Sequence, residues 1–130
     1  MKDKFPGFNA CIKLMHKHNP QLQEDGFGLL LPHAHEFVDE LIIEFQRETD
    51  HGLRCWLLEL IGEAKSPKAF PLLVESLKGD DESFWYWAIS GLRKLDTKAA
   101  RTILWEAESY TKSTQEQTRS FQATLRHQEG

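Results

Sequence analysis

The sequence predicts an all-α fold, a short α-solenoid of antiparallel helix pairs with atypical capping helices at its two ends. Apolar residues recur at helical spacing along most of the chain. One such stripe, Leu53, Leu57, Leu60, Ile61 and Ala64, returns 31 residues later as Phe84, Ala88, Gly91, Leu92 and Leu95. A helix pair repeated at this period cannot bury its apolar face alone and does so by stacking on the next. With 130 residues and 40% hydrophobic content, the chain can form one real core and leaves no room for a second domain, so residues 1–130 are read as a single domain.

The elements follow in order. Residues 1–50 are read as an N-terminal capping segment. Phe8, Cys11, Ile12 and Met15 share one helical face and predict a short first helix ending near Asn19 and Pro20. Because proline disfavours helix at the residue before it, the stretch through Gly26 and Gly28 to Pro32 is expected to be a loop with a short apolar piece at Leu29, Leu30 and Leu31. Phe37, Val38, Leu41, Ile42 and Phe45 predict a strong second helix. Phe45 stands eight residues before Leu53, much as Leu77 stands seven before Phe84, so this helix reads as the second member of a degenerate earlier pair.

The clear repeats are 51–80 and 82–108, with helices expected at 51–64, 67–78, 83–95 and 98–108. Ser66 and Thr97 can cap the second helix of each pair, and Pro67 is tolerated in a first turn. The second turn reads as one residue shorter, after which Ala69, Leu73, Val74 and Leu77 match Ala99, Ile103, Leu104 and Ala107 at an offset of 30. Beyond Trp105 the chain grows polar. Residues 112–117 suggest a cap and restart, and Phe121 and Leu125 allow a C-terminal helix over 113–127 that covers the end of the stack.

Leu53 and Arg54, then Leu57 and Leu58, then Leu60, Ile61 and Gly62, followed by Ser66, Pro67, Lys68, Ala69, Phe70, Pro71, Leu72 and Leu73, resemble the HEAT-like repeat of the phycobilisome-lyase type. The second unit keeps the apolar frame but places Trp85 where the family's arginine stands and Arg93 where its glycine stands. The resemblance implies a helical recognition surface. Such repeats serve lyases, scaffolds, inhibitors and immunity proteins alike, so the architecture does not select an activity.

Charge narrows the partner. The net charge is −4, but Glu36, Asp39, Glu40, Glu44, Glu48 and Asp50 stand against Arg47 alone between residues 36 and 50, which makes the second helix acidic on its wet side. Asp80, Asp81 and Glu82 are accounted for by the favourable interaction of carboxylates with a helix N-terminus. Arg93, Lys94, Lys98 and Arg101 form a basic cluster around the last turn. An acidic chain is a poor neutraliser of phosphates, so nucleic acid is not expected as a partner, and a HEAT-like DNA-repair enzyme stands low among the readings. No apolar run reaches transmembrane length, and residues 1–7 lack the apolar stretch of a secretory signal, so no membrane partner and a cytoplasmic location are expected.

Trp56 and Trp87 occupy equivalent positions beside the buried stripe and are read as packing. Trp85 and Trp105 stand where the other unit has Arg54 and Glu75, which makes them candidate solvent-facing anchors. His16 with His18, and His33 with His35, are spaced two apart, a spacing that splays imidazoles on a helix; a structural or solvent role is expected, with no metal and no cofactor. Cys11 and Cys55 are read as buried free thiols, and no base is apparent beside either; no catalytic residue is assigned and no enzymatic activity is expected.

The expected function is therefore macromolecular binding through an acidic helical surface formed by Glu36, Asp39, Glu40, Glu44 and Glu75, with Trp85 and Trp105 as anchors. A small acidic helical-repeat protein of this kind looks like bacterial immunity proteins, which inhibit a cognate toxin by covering it, and many such toxin domains are basic. A generic scaffold or adaptor, or a lyase or chaperone-type subunit, is the alternative.

Overall fold

A computed structural model of the chain describes residues 4–108. It is all-helical, with no strand among the described residues. The helices are α1 (Phe8–Met15), α2 (Pro20–Leu30), α3 (Val38–Arg47), α4 (His51–Glu63), α5 (Phe70–Lys78) and α6 (Glu82–Leu95), with 3-10 segments at Leu31–Glu36 and Pro67–Ala69. A further helix, α7, runs over 98–108, the last described residue. The expected C-terminal helix over 113–127 lies outside the described residues.

The expected loop after Pro20 is instead α2. Asn19 is extended, and its Oδ1 accepts the backbone N–H groups of Gln21 at 2.9 Å and Leu22 at 3.2 Å. Pro20 opens the helix at a position where its missing N–H costs nothing. Gly26 is a packing glycine: a Cβ there would lie 2.6 Å from the carbonyl oxygen of Cys11 and 2.8 Å from Leu14 Cβ, so its absence lets α1 lie tightly on α2.

The helix starts keep a strict period. Asn19, Asp50 and Asp81 are the N-caps of α2, α4 and α6, each accepting first-turn N–H groups, and they stand 31 residues apart. The turns repeat as well. Lys65 and Asp96 both adopt left-handed backbone, at φ 52 and 51, and each is followed by a capping hydroxyl: Ser66 Oγ accepts from Lys68 N, and Thr97 Oγ1 from Ala100 N. The second turn is therefore not one residue shorter. Ala69 and Ala100 are the buried pair, at 1% and 0% exposure, whereas Ala99 is exposed, so the period stays at 31 through the turn.

The two stripes pack as expected: Leu57, Leu60, Ile61, Ala64, Phe84, Ala88, Gly91 and Leu92 are buried, with Leu53 and Leu95 partly so. Among α1 to α6 the most extensive helix packing is α1 on α2, α3 on α4, α4 on α6 and α5 on α6; α4 packs more extensively on α6 than on α5, its expected pair partner. Two glycines cause this. A Cβ built on Gly62 would sit 2.9 Å from Gly91 Cα, and one on Gly91 2.9 Å from Gly62 Cα, so the helices cross backbone to backbone. A single core runs from Cys11 and Met15 through Leu30, Leu41, Leu58 and Leu73 to Leu92 and Ala100.

Candidate protein-binding surface

Val38, Leu41 and Phe45 turn one side of α3 inward, and helical geometry then points Asp39, Glu40, Ile43 and Arg47 outward. Charge on this face is partly answered. Asp39 pairs with Lys68 in the turn between α4 and α5 at 3.1 Å, Glu44 with Arg47 at 2.6 Å, and Glu36 with His33 at 2.7 Å. Glu40 and Glu75 are exposed and have no ion-pair partner among the described residues. Ile43 is half exposed, at 50%, amid these charges. Its signal in the sequence is an isoleucine between the buried positions 41 and 45, on the opposite side of the helix, outside the charge and tryptophan patterns that mark the other candidate residues.

The tryptophans divide differently from expectation. Trp105 is 69% exposed. At the period of 31 its counterpart is Val74, partly buried against the core, rather than Glu75. Trp85 is half-buried, and its indole N–H donates to the carbonyl of Gly79, the residue that closes α5. Its counterpart Arg54 does equivalent work: Nε donates to the Phe45 carbonyl at 3.2 Å, and the guanidinium lies over the rings of Phe45 and Phe84 at 4.2 and 5.1 Å. Arginine and tryptophan at this position each tie a first helix to the end of the helix before it. Trp56 packs against Phe27 at 5.1 Å, and Trp87 edge-on against Tyr86 at 4.7 Å; both are partly buried on the core.

Asp39 and Glu40 are exposed on α3, and the Asp39–Lys68 pair joins this face to the segment just before α5. Glu75 and Trp85 meet at the α5–α6 corner, where Gly79 donates its N–H to the Glu75 carbonyl and accepts from the Trp85 indole. No hydrogen bond, ion pair or ring contact among the described residues joins Trp105 to that group.

Cys55 does have a base beside it. His51 is four residues earlier, one turn back on α4, and its Nε2 lies 4.0 Å from the Cys55 sulfur. The same nitrogen lies 2.8 Å from Asp81 Oδ2, and the imidazole stacks on Phe84. Both neighbours thus compete for one nitrogen, unlike a nucleophile and an orienting acid on opposite ring nitrogens. Burial first, and the Asp81 charge second, push the Cys55 thiol above its ordinary range, which disfavours the reactive thiolate. Chemically the cluster is a clamp between the N-termini of α4 and α6. Both cysteines are free, with Cys11 buried. No group of three or more His, Cys, Asp or Glu side chains among the described residues is placed to hold a metal ion.

A second surface lies on α6, where Tyr86, Ile89, Ser90, Arg93 and Lys94 line a shallow groove. Tyr86 is 65% exposed, and Lys94 reaches across to Glu63 of α4. No helix among the described residues is long and apolar enough to cross a membrane. No family model, curated protein or solved structure matches the chain.

Proposed function

We propose that this protein is a binding module of the HEAT-like kind, in which stacked helix pairs present the outer face of α3 to a basic region of a protein partner. The observation that carries this is Ile43, half exposed at the centre of a face that also bears Asp39 and Glu40. An apolar anchor ringed by charge has the anatomy of an interface: the ring steers and orients, and the anchor gains affinity once desolvated. Caps at a fixed spacing of 31 residues support the solenoid reading, with units at α2–α3, α4–α5 and α6–α7 and α1 covering the first. Glu36, Glu44 and Glu75 extend the negative field, and Trp105 offers a separate aromatic contact. Within this reading an immunity protein that covers a basic toxin domain in the cytoplasm is the best specific role, with scaffold or adaptor behind it.

The test is affinity capture from extracts of the source cells with wild-type, Glu40→Lys/Glu44→Lys and Ile43→Asp baits in parallel. A basic protein held by the wild type at low salt, released at high salt and absent from both variants is the expected result. The same proteins on all three baits, with helical circular dichroism intact, overturns the surface. The immunity role further requires that the captured protein be toxic when expressed alone and harmless when co-expressed with this chain. A captured protein harmless by itself leaves the adaptor.

A further inference from the structure

We propose that the groove on α6 docks the α3 face of a second copy of this chain, head to tail. On α4, the positions turned toward α6 are Cys55, Leu58, Glu59, Gly62 and Glu63. Leu58 is fully buried, Gly62 meets Gly91, Glu63 pairs with Lys94, and Cys55 lies against the His51–Asp81 clamp. Adding 31 residues gives Tyr86, Ile89, Ser90, Arg93 and Lys94, the five residues that line the groove. The groove is thus the surface on which a following first helix would stack, and among the described residues nothing stacks there.

Its chemistry selects the occupant. At the α4–α6 crossing, α4 offers Glu59 and Glu63 to Lys94 of α6; on the groove the corresponding positions are Ser90 and Lys94, with Arg93 in place of Gly62. Arg93 has no ion-pair partner among the described residues. A helix entering the groove must therefore bring carboxylates for Arg93 and an apolar side chain for Ile89 and Tyr86. The face of α3 has both, in the unpaired Glu40, in Asp39 and in the half-exposed Ile43. Within one copy α3 meets α6 through its inward side, where the Phe45 ring lies 5.5 Å from that of Phe84, so the outward face of α3 and the groove meet only between copies. Two α6 grooves face to face would bring two Arg93 and two Lys94 side chains to one interface, a less favourable pairing than with the acidic α3 face. Residues 109–130 carry Lys112, Arg119 and Arg126 against Glu116 and Glu129, a net +1 that answers the basic groove less well than the acidic face of α3 does. The inference rests on the reading of α3 as a docking face and names its counterpart.

The experiment is sedimentation of the full chain over a range of concentrations at low salt. The wild-type average mass should rise at least twofold with concentration, and added salt should reverse the rise. Arg93→Glu and Glu40→Lys should each stay monomeric, with unchanged circular dichroism. Mixing the two should restore association, since each supplies the face the other has lost. Placing both reversals in one chain should restore self-association, because the charges again complement. A wild-type mass that does not change with concentration overturns the proposal. So does association that survives either single reversal, or two variants that remain monomeric when mixed. A monomeric wild type whose melting temperature falls with Arg93→Glu assigns the groove to the chain's own remaining residues and overturns it too. If the wild type is monomeric while Glu40→Lys/Glu44→Lys still abolishes capture of a basic protein, only the self-docking fails and the α3 reading stands.

Discussion

Leu57 and Leu92 are 2% and 0% exposed, and truncating either to alanine removes buried methyl groups and leaves a cavity. Each substitution should cost about 2–5 kcal/mol, while Glu40→Ala, at an exposed position without an ion-pair partner, should change stability by less than about 0.5 kcal/mol. Chemical denaturation of the three variants checks this, and equal losses from all three would mean that the face assignment is wrong. Gly62 and Gly91 invert the usual expectation for a helix. Replacing glycine by alanine inside a helix ordinarily gains about 1 kcal/mol. Here the new Cβ meets backbone at 2.9 Å, where no side chain can swing away. Gly62→Ala and Gly91→Ala should each destabilise by about 1–3 kcal/mol net, as overpacking does, and either variant melting above the wild type would refute the close crossing. The sequence placed Gly91 in the buried stripe, but it could not reveal that Gly62 is the residue opposite, because the two do not occupy equivalent positions in their repeats.

The boundaries of the elements were legible wherever a cap could be recognised. The starts of α4 and α6 are legible from the strong stripes that follow them, although Asp50 and Asp81 read in the sequence only as acidic charge. Asn19, by contrast, was hidden by Pro20, which breaks a helix when it lies inside one and opens a helix when it lies first. Asn19→Ala, Asp50→Ala and Asp81→Ala should each cost about 0.5–2 kcal/mol through lost first-turn bonds; a neutral Asn19→Ala would remove the structural case for the start of α2. Lys65 is held at φ 52 with no side-chain bond that requires it, so Lys65→Gly should raise stability by up to about 1 kcal/mol. Asp96 should gain less from the same change, because its carboxylate and carbonyl both accept from Arg101, and aspartate tolerates this backbone better than lysine. Between α1 and α3, His16 donates one ring N–H to Ile12 O and lies 2.7 Å from Glu48. The Ile12 carbonyl first, and Glu48 and Glu44 after it, raise His16 above its ordinary 6.5 against the opposing effect of burial. Burial pushes Glu48 upward, but the Asp50 and Thr49 N–H groups and His16 together carry it below 4.5. The histidine's contribution is present below about pH 6.5 and fades as pH rises through its folded value; the glutamate's is present above about pH 4.5 and fades as pH falls through its own. His16→Gln should therefore lower the melting temperature more at about pH 5.5 than at about pH 8.5, and an equal loss at both would show that the ion pair contributes nothing.

At the scale of the whole molecule, the period and the stripes were readable because buried positions on a helix must recur in step with its turns. Which exposed residues lack partners was not readable, since it depends on contacts such as Asp39 with Lys68 that join residues far apart in the chain. The proposed stacking would also set how the molecule comes apart. α4 is covered by α3, by the 3-10 segment at Leu31–Glu36 and by α6, while α1 packs chiefly on α2. The fully buried Leu58, Leu60 and Ile61 all belong to α4, whereas α7 has Ala100 buried and Trp105 largely in solvent. Where each unit contacts chiefly its neighbours, local stability should fall toward the ends of the stack. Native-state hydrogen exchange should find the slowest amides in α4 and in the Ala88–Leu92 stretch of α6, exchanging only through global unfolding. Amides of α1 and α7 should open at lower free energy and respond less to denaturant. Gly62→Ala should speed exchange in α4 and α6 together, because it separates the one crossing they share, and should leave the difference between α1 and the centre smaller than in the wild type. Equal protection in all the helices would mean that the chain unfolds as a single unit, and that its energetics are not those of a stack.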